Sequence, residues 1–221
     1  MGKSAIILGA TGLTGGQLLN YVLSDSYYEK VLVFGRRPLG INHPKLEEHI
    51  LDLFQLRNKE EIFKSDVVFC CVGTTKAKTP NKATYKDIDY GIPVAAAELS
   101  KKNNIQCFVV MSSLGANMNS PIFYNRIKGE MELAVLAQEI PQTYVLQPSL
   151  IMGKRNEFRL GEALFKGLMN FINPLLIGQF RRYQSIQSTT LALAMAVLPK
   201  SNRLSGIIPS NIIKDIANNG N

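Results

Sequence analysis

An α/β fold built on a doubly wound parallel sheet is predicted by three observations. Short, uniformly apolar runs recur along the first two thirds of the chain. Segments of helical periodicity separate them. A glycine-rich turn, "GATGLTGG", joins the first run to the first helix. Uniformly apolar runs suit strands covered on both faces, and alternation with helices gives parallel strands joined by right-handed crossovers.

The elements follow in order. "SAIILG" (4–9) is the first strand and "QLLNYVLSD" (17–25) a helix. "KVLVFGRR" (30–37) is the second strand, "HILDLFQL" (49–56) a short third, and "EEIFK" a partial helix. "DVVFCCVGTT" (66–75) is the fourth strand, "GIPVAAAELSKKN" (91–103) a helix and "QCFVVMSS" (106–113) the fifth strand. A helix follows, whose entrance Ser120 and Pro121 suit as cap and first-turn residue. "TYVLQPSLIMG" (143–153) is the sixth strand. Beyond it the pattern is mainly helical, and "LSGIIPSNIIKDIA" predicts a last strand and short helix. One domain over 1–221 is expected, with residues 154–206 forming most of a small, mainly helical, substrate-side lobe.

Composition narrows the function classes. The 221 residues carry a net charge of +8, but the basic residues are scattered and match no nucleic-acid motif. No nucleic-acid partner is expected, and a polyphosphate ligand accounts for part of the charge. The apolar stretch at 167–178 is too short to span a bilayer and reads as a buried or interface helix and turn. The first residues enter a strand directly, so no signal peptide and no integral membrane segment are expected. The three cysteines have no metal-ligand spacing and no disulfide pattern, so no metal site is expected. Reduced, buried thiols suggest a cytoplasmic protein.

Ligands of open α/β sheets bind beyond the carboxyl ends of the strands. The first turn spaces Gly9, Gly12 and Gly15 as G-x-x-G-x-x-G. Gly9 suits the tight turn, Gly12 the approach of a pyrophosphate and Gly15 close packing of helix on strand. With Thr11 beside them, the N–H groups of Leu13 and Thr14 at the helix start are expected to face phosphates. After the second strand, where an NAD site usually holds a carboxylate, this chain has Arg36 and Arg37. Arginine favours a 2′-phosphate, so NADP(H) is expected over NAD(H). Asp52 is expected either to accept from the adenine amino group or to face water at the strand end, and Gly73 and Thr74 to border the nicotinamide ribose. Tyr124 and Lys128 stand four apart on one helix face. Ser112 and Ser113 end the fifth strand, and alternation aims one of them into the cleft.

The glycine turn, "GRR", "CCVGTT", "DIDYGIPVAAAELSKK", "MSSLGAN", "YNRIKGE", "QPSLIMGKRNEFR" and "RRYQSIQ" occur in this order. Together they resemble the Tat-interacting-protein type of atypical short-chain dehydrogenase/reductase. The resemblance implies an NADP-binding Rossmann fold in which Tyr124, Lys128, Ile151 and Arg159 line the cofactor. From their chemistry, Tyr124, Lys128 and a serine are expected to form a proton-transfer set, with Ser113 favoured and Ser112 its alternative. Three functions remain. The first is an oxidoreductase acting on an unidentified small carbonyl or alcohol. The second is a non-catalytic NADP(H)-sensing or protein-binding module. The third, ranked below both, is a nucleoside-diphosphate-sugar epimerase, for which the short stretch after the sixth strand leaves little room.

Overall fold

The computed structural model describes residues 2–153, 176 and 178–219. Seven strands pair entirely in parallel, in the spatial order β3-β2-β1-β4-β5-β6-β9. They are β1 (Lys3–Leu8), β2 (Tyr28–Gly35), β3 (Leu46–Ile50), β4 (Val67–Cys70), β5 (Cys107–Met111), β6 (Gln142–Gln147) and β9 (Gly206–Pro209). Two short strands, β7 (Ile151–Met152) and β8 (Ile186–Gln187), pair with each other in parallel as a separate sheet.

Side-chain alternation divides the apolar strands between two core layers. Ala5, Ile7, Val31, Val33, Val67, Phe69 and Val109 face helices α1 (Leu13–Ser24), α5 (Ser188–Val197) and α6 (Ser210–Asn219). Ile6, Leu8, Leu32, Phe34, Val68, Phe108 and Val110 face α3 (Ile92–Lys102) and α4 (Phe123–Leu136). Every central strand therefore buries both faces, which is why its sequence reads as continuous apolar residues. The strand order reverses between β1 and β4, and a crevice opens at their carboxyl ends.

Five boundaries differ from expectation, most of them for a local reason. The third strand spans Leu46–Ile50 and stops before Asp52, whose carboxylate accepts the Phe54 N–H at 3.0 Å. That cap starts a 3₁₀ helix, Leu53–Lys59, and Leu53 and Leu56 are buried at its three-residue spacing. Residues 60–64 form a turn that buries Phe63 rather than a helix. The fourth strand ends at Cys70, and the next five residues leave the sheet. The sixth strand breaks at Pro148, which has no N–H to continue a ladder, so β6 and β7 are separate. Helix α4 begins at Phe123 after Ile122; Ser120 Oγ instead accepts the Ile122 N–H in a local turn.

The last strand and helix form as expected. Of the 154–206 segment, α5 packs against α1 in the sheet's core layer. Most of the rest, including nearly all of the 167–178 stretch, lies outside the described residues.

Candidate active site

The carboxyl ends of β1, β4 and β5 open into a cavity of about 570 Å³. Its floor is the first turn. Gly9 has φ +84°, which a side chain would strain, and a Cβ on Gly15 would lie 2.2 Å from the Gly9 carbonyl oxygen. Helix α1 starts after Gly12 with no side-chain cap. The first-turn amides of Leu13 and Thr14 have no intrahelical acceptor, and both residues line the cavity. Thr11 and Gly12 line it beside them. The glycines, the uncapped helix and the cavity volume together fit a dinucleotide with its pyrophosphate on the turn.

The opposite wall holds a buried ion pair. Lys128 Nζ lies 2.9 Å from Asp89 Oδ1, with side-chain exposures of 4% and 1%. Asp89 Oδ2 accepts the Thr74 N–H at 2.8 Å, and Lys128 also donates to the Met111 carbonyl at 3.4 Å. Burial alone would lower the Lys128 pKa, but the Asp89 carboxylate and the Tyr124 phenol hold it above the ordinary lysine value. Lys128 is therefore an ammonium throughout the neutral range. Asp89 reaches it from a π-helical stretch, Asp87–Gly91, between α2 (Lys82–Lys86) and α3. π-Helical turns are frequent at functional sites.

Tyr124 lines the cavity one turn before Lys128 and is 36% exposed. Its ring meets the buried Tyr85 edge-on at 6.4 Å. The Tyr85 hydroxyl donates to the Thr74 carbonyl at 3.3 Å. The β4 exit loop, the π-helical stretch and α4 thus meet around one lysine and one tyrosine.

The structure separates the two serines. Ser112 lines the cavity, whereas Ser113, favoured from sequence, does not. Consecutive residues leaving a strand point to opposite sides, and Ser112 follows Phe108 and Val110 toward α4. The Ser113 hydroxyl is buried without a hydrogen-bond partner among the described residues. The Ser112 hydroxyl donates to the Glu132 carboxylate, which also accepts Gln147 Nε2 at 2.9 and 3.0 Å.

Gly73, Thr74 and Ile151 also line the cavity. Arg36 and Arg37 are exposed just beyond β2, outside the cavity wall. Asp52 is likewise outside it, its carboxylate engaged as the cap described above. Arg159 lies outside the described residues. No group of His, Cys, Asp or Glu that could hold a metal occurs among the described residues.

Residues 5–125, more than half of the chain, match the NAD dependent epimerase/dehydratase family. The chain belongs to that family. Within it, relatives of the Tat-interacting-protein type are similar to this chain. "Protein HTATIP2" of Rattus norvegicus is 33% identical over 166 residues, covering 73% of this chain and 68% of that protein. "Protein FMP52, mitochondrial" of Debaryomyces hansenii is 35% identical over 158 residues, covering 70% and 69%. Proteins of known structure share the fold. A UDP-N-acetylglucosamine 4-epimerase from Methanobrevibacter ruminantium superposes with TM-score 0.68 at 17% identity, covering 94% of this chain and 76% of that one. Bordetella bronchiseptica WbmG, solved in complex with NAD, gives 0.69 at 13%, covering 100% and 77%.

The cytoplasmic placement is corrected by these relatives, since several of the yeast proteins are named as mitochondrial. Burial pushes Cys70 up to about 11 and Cys107 up to about 12, and raises Cys71 as well. Thiols held protonated in a core stay unreactive in any compartment. No helix among the described residues is long and apolar enough to cross a membrane.

The glycine turn and the Tyr124/Lys128 pair are visible in the sequence, whereas Asp89 and Glu132 do not stand out there. Asp89 falls on the buried stripe of Tyr85, Ile92 and Ala96, and Glu132 on that of Lys128, Met131 and Val135. A carboxylate on an apolar stripe was the available signal. Replacing one member of a buried ion pair typically costs about 3–5 kcal/mol. Asp89→Asn is expected to lose stability on that scale in urea unfolding at neutral pH. The double variant Asp89→Asn/Lys128→Met is expected to lose less than Asp89→Asn alone. Equal losses from single and double variants would contradict the pairing.

Proposed function

We propose that this chain binds NADP(H) in preference to NAD(H) and transfers hydride to or from a small carbonyl or alcohol. The observation that carries the reading is the convergence of Tyr124 and Lys128 on a cavity whose opposite wall is a glycine cradle. The Gly12–Thr14 turn would hold the pyrophosphate, and Lys128 with Thr74 would hold the nicotinamide ribose. When bound, a nicotinamide dinucleotide supplies or accepts the hydride.

Tyr124 is the residue to move the proton. A free phenol titrates near roughly pH 10 and exchanges protons poorly at neutral pH. Tyr124, one helical turn from the Lys128 ammonium, is placed to give its proton to a carbonyl oxygen or take one from an alcohol. Ser112 is the serine on the cavity side. The side-chain carboxylate of Asp89 keeps Lys128 charged and pinned, but it also offsets the positive field felt by Tyr124. That partial neutralisation favours, as the second reading, a module that binds NADP(H) and signals through a protein partner without turnover. The sugar-nucleotide chemistry in the names of structural neighbours is not carried over, because identities of 13–17% support the fold alone.

Arg36 and Arg37 support the NADP(H) preference by position alone: they leave the strand next to β1, where a 2′-phosphate would lie. Dissociation constants for NADPH and NADH test it. NADPH is expected to bind at least about tenfold more tightly, and Arg36→Ala/Arg37→Ala to remove most of that ratio. Equal binding of the two cofactors to the unaltered protein would overturn the preference. Turnover is tested on a panel of small carbonyl compounds by following NADPH absorbance. Tyr124→Phe is expected to abolish any oxidation while leaving NADPH affinity within about threefold. Oxidation that survives in Tyr124→Phe would remove the proton role. A complete absence of oxidation in the unaltered protein favours the sensing module.

A further inference from the structure

Glu132 is the one buried carboxylate of the site's helix that the proposed chemistry leaves without a task. It is 4% exposed, yet it lies two turns beyond Tyr124 and one beyond Lys128, on the same face of α4. Its carboxylate takes the only hydroxyl proton of Ser112, a residue of the cavity wall. Gln147, at the end of β6, clamps both carboxylate oxygens from the far side. A hydroxyl has one proton to give. While Ser112 donates to an ionised Glu132, it can offer a bound molecule only lone pairs.

We propose that Ser112, Glu132 and Gln147 form a proton-dependent relay, in which Glu132 sets whether Ser112 presents an acceptor or a donor to the reacting end of the cavity. With Glu132 protonated by solvent, its O–H donates to Ser112 Oγ and the serine proton turns toward the cavity. With Glu132 ionised, the serine proton returns to the carboxylate. No bond other than those to hydrogen changes, and Gln147 keeps the carboxyl group in place in both states. Glu132 is thus a positioning residue that acts through Ser112.

The surroundings allow the exchange. Burial pushes the Glu132 carboxyl above its ordinary range, against Ser112, Gln147 and Lys128, which favour the charged form. Lys128, one turn earlier on its own helix, is the charged group acting on it. Ser112 and Gln147, which face it from beyond β5 and from β6, are uncharged. Asp89, from the π-helical stretch, is engaged with Lys128. A carboxyl shifted upward changes protonation nearer to neutrality, where proton-transfer sites operate.

The relay rests on the dinucleotide reading only for what occupies the cavity. Two measurements on the full chain therefore test it separately. The first is a ¹³C NMR titration of the Glu132 carboxyl without ligand, assigned with Glu132→Gln. It is expected to titrate above the ordinary carboxylate range, and Ser112→Ala to move it higher still by removing a donor to the charged form. An ordinary midpoint, or one unmoved by Ser112→Ala, overturns the relay. The second is the NADPH dissociation constant between about pH 5 and 9, expected to change at least about threefold around the Glu132 midpoint. The change should flatten in both Glu132→Gln and Ser112→Ala. Gln147 can rotate its amide to match the isosteric glutamine, so thermal unfolding of Glu132→Gln should stay near that of the unaltered protein. A pH profile that persists in both variants overturns the relay even if they are less stable. If NADPH binds the unaltered protein at no pH, the dinucleotide reading fails and the carboxyl titration alone decides the relay.

Discussion

The arrangement of the site depends on the ion pair between Asp89 and Lys128. Two charges out of water need each other and further hydrogen bonds to be tolerated. Here the Thr74 amide and the Met111 carbonyl provide them. Such pairs add little net stability over an apolar replacement, so the consequence is positional. The pair ties the β4 exit loop and the π-helical stretch to α4, and Tyr124 rides on that helix one turn away. A charged lysine is thereby held in the wall of a cavity without being free to leave it.

The opposite wall depends on backbone rather than charge. Close approach of Gly15 to Gly9 brings α1 onto the end of β1, and the absence of a side-chain cap leaves its first amides available. The sheet's reversal between β1 and β4 sets these two walls across one crevice. Among the described residues, the cavity lining runs from Thr11 to Ile151, which β7 contributes.

Much of this was legible in the sequence because its cause is local. Continuous apolar runs reported strands buried on both faces, and "GATGLTGG" reported a turn whose geometry demands glycine. Tyr124 and Lys128 were legible through helical spacing. What was not legible arises from contacts distant in sequence or from single capping bonds. Asp52 ended the third strand early because its carboxylate captured a nearby amide. Pro148 split the sixth strand. The choice of Ser112 over Ser113 turned on the register of β5 against α4, which pattern alone leaves open. Asp89 needed a π-helical turn to reach Lys128, and no residue pattern in "DIDYG" announces one. The compartment was misread because buried thiols report their packing and not their surroundings.

The central claim is that Lys128 is a buried ammonium held charged by Asp89. The most direct measurement is an NMR titration of the Lys128 side-chain nitrogen in ¹⁵N-lysine-labelled protein, assigned with Lys128→Met. The account predicts that Lys128 remains protonated to a pH above the ordinary lysine value, and that Asp89→Asn moves its titration below that value. Titration of Lys128 below the ordinary value in the unaltered protein would contradict it, because burial would then outweigh the carboxylate.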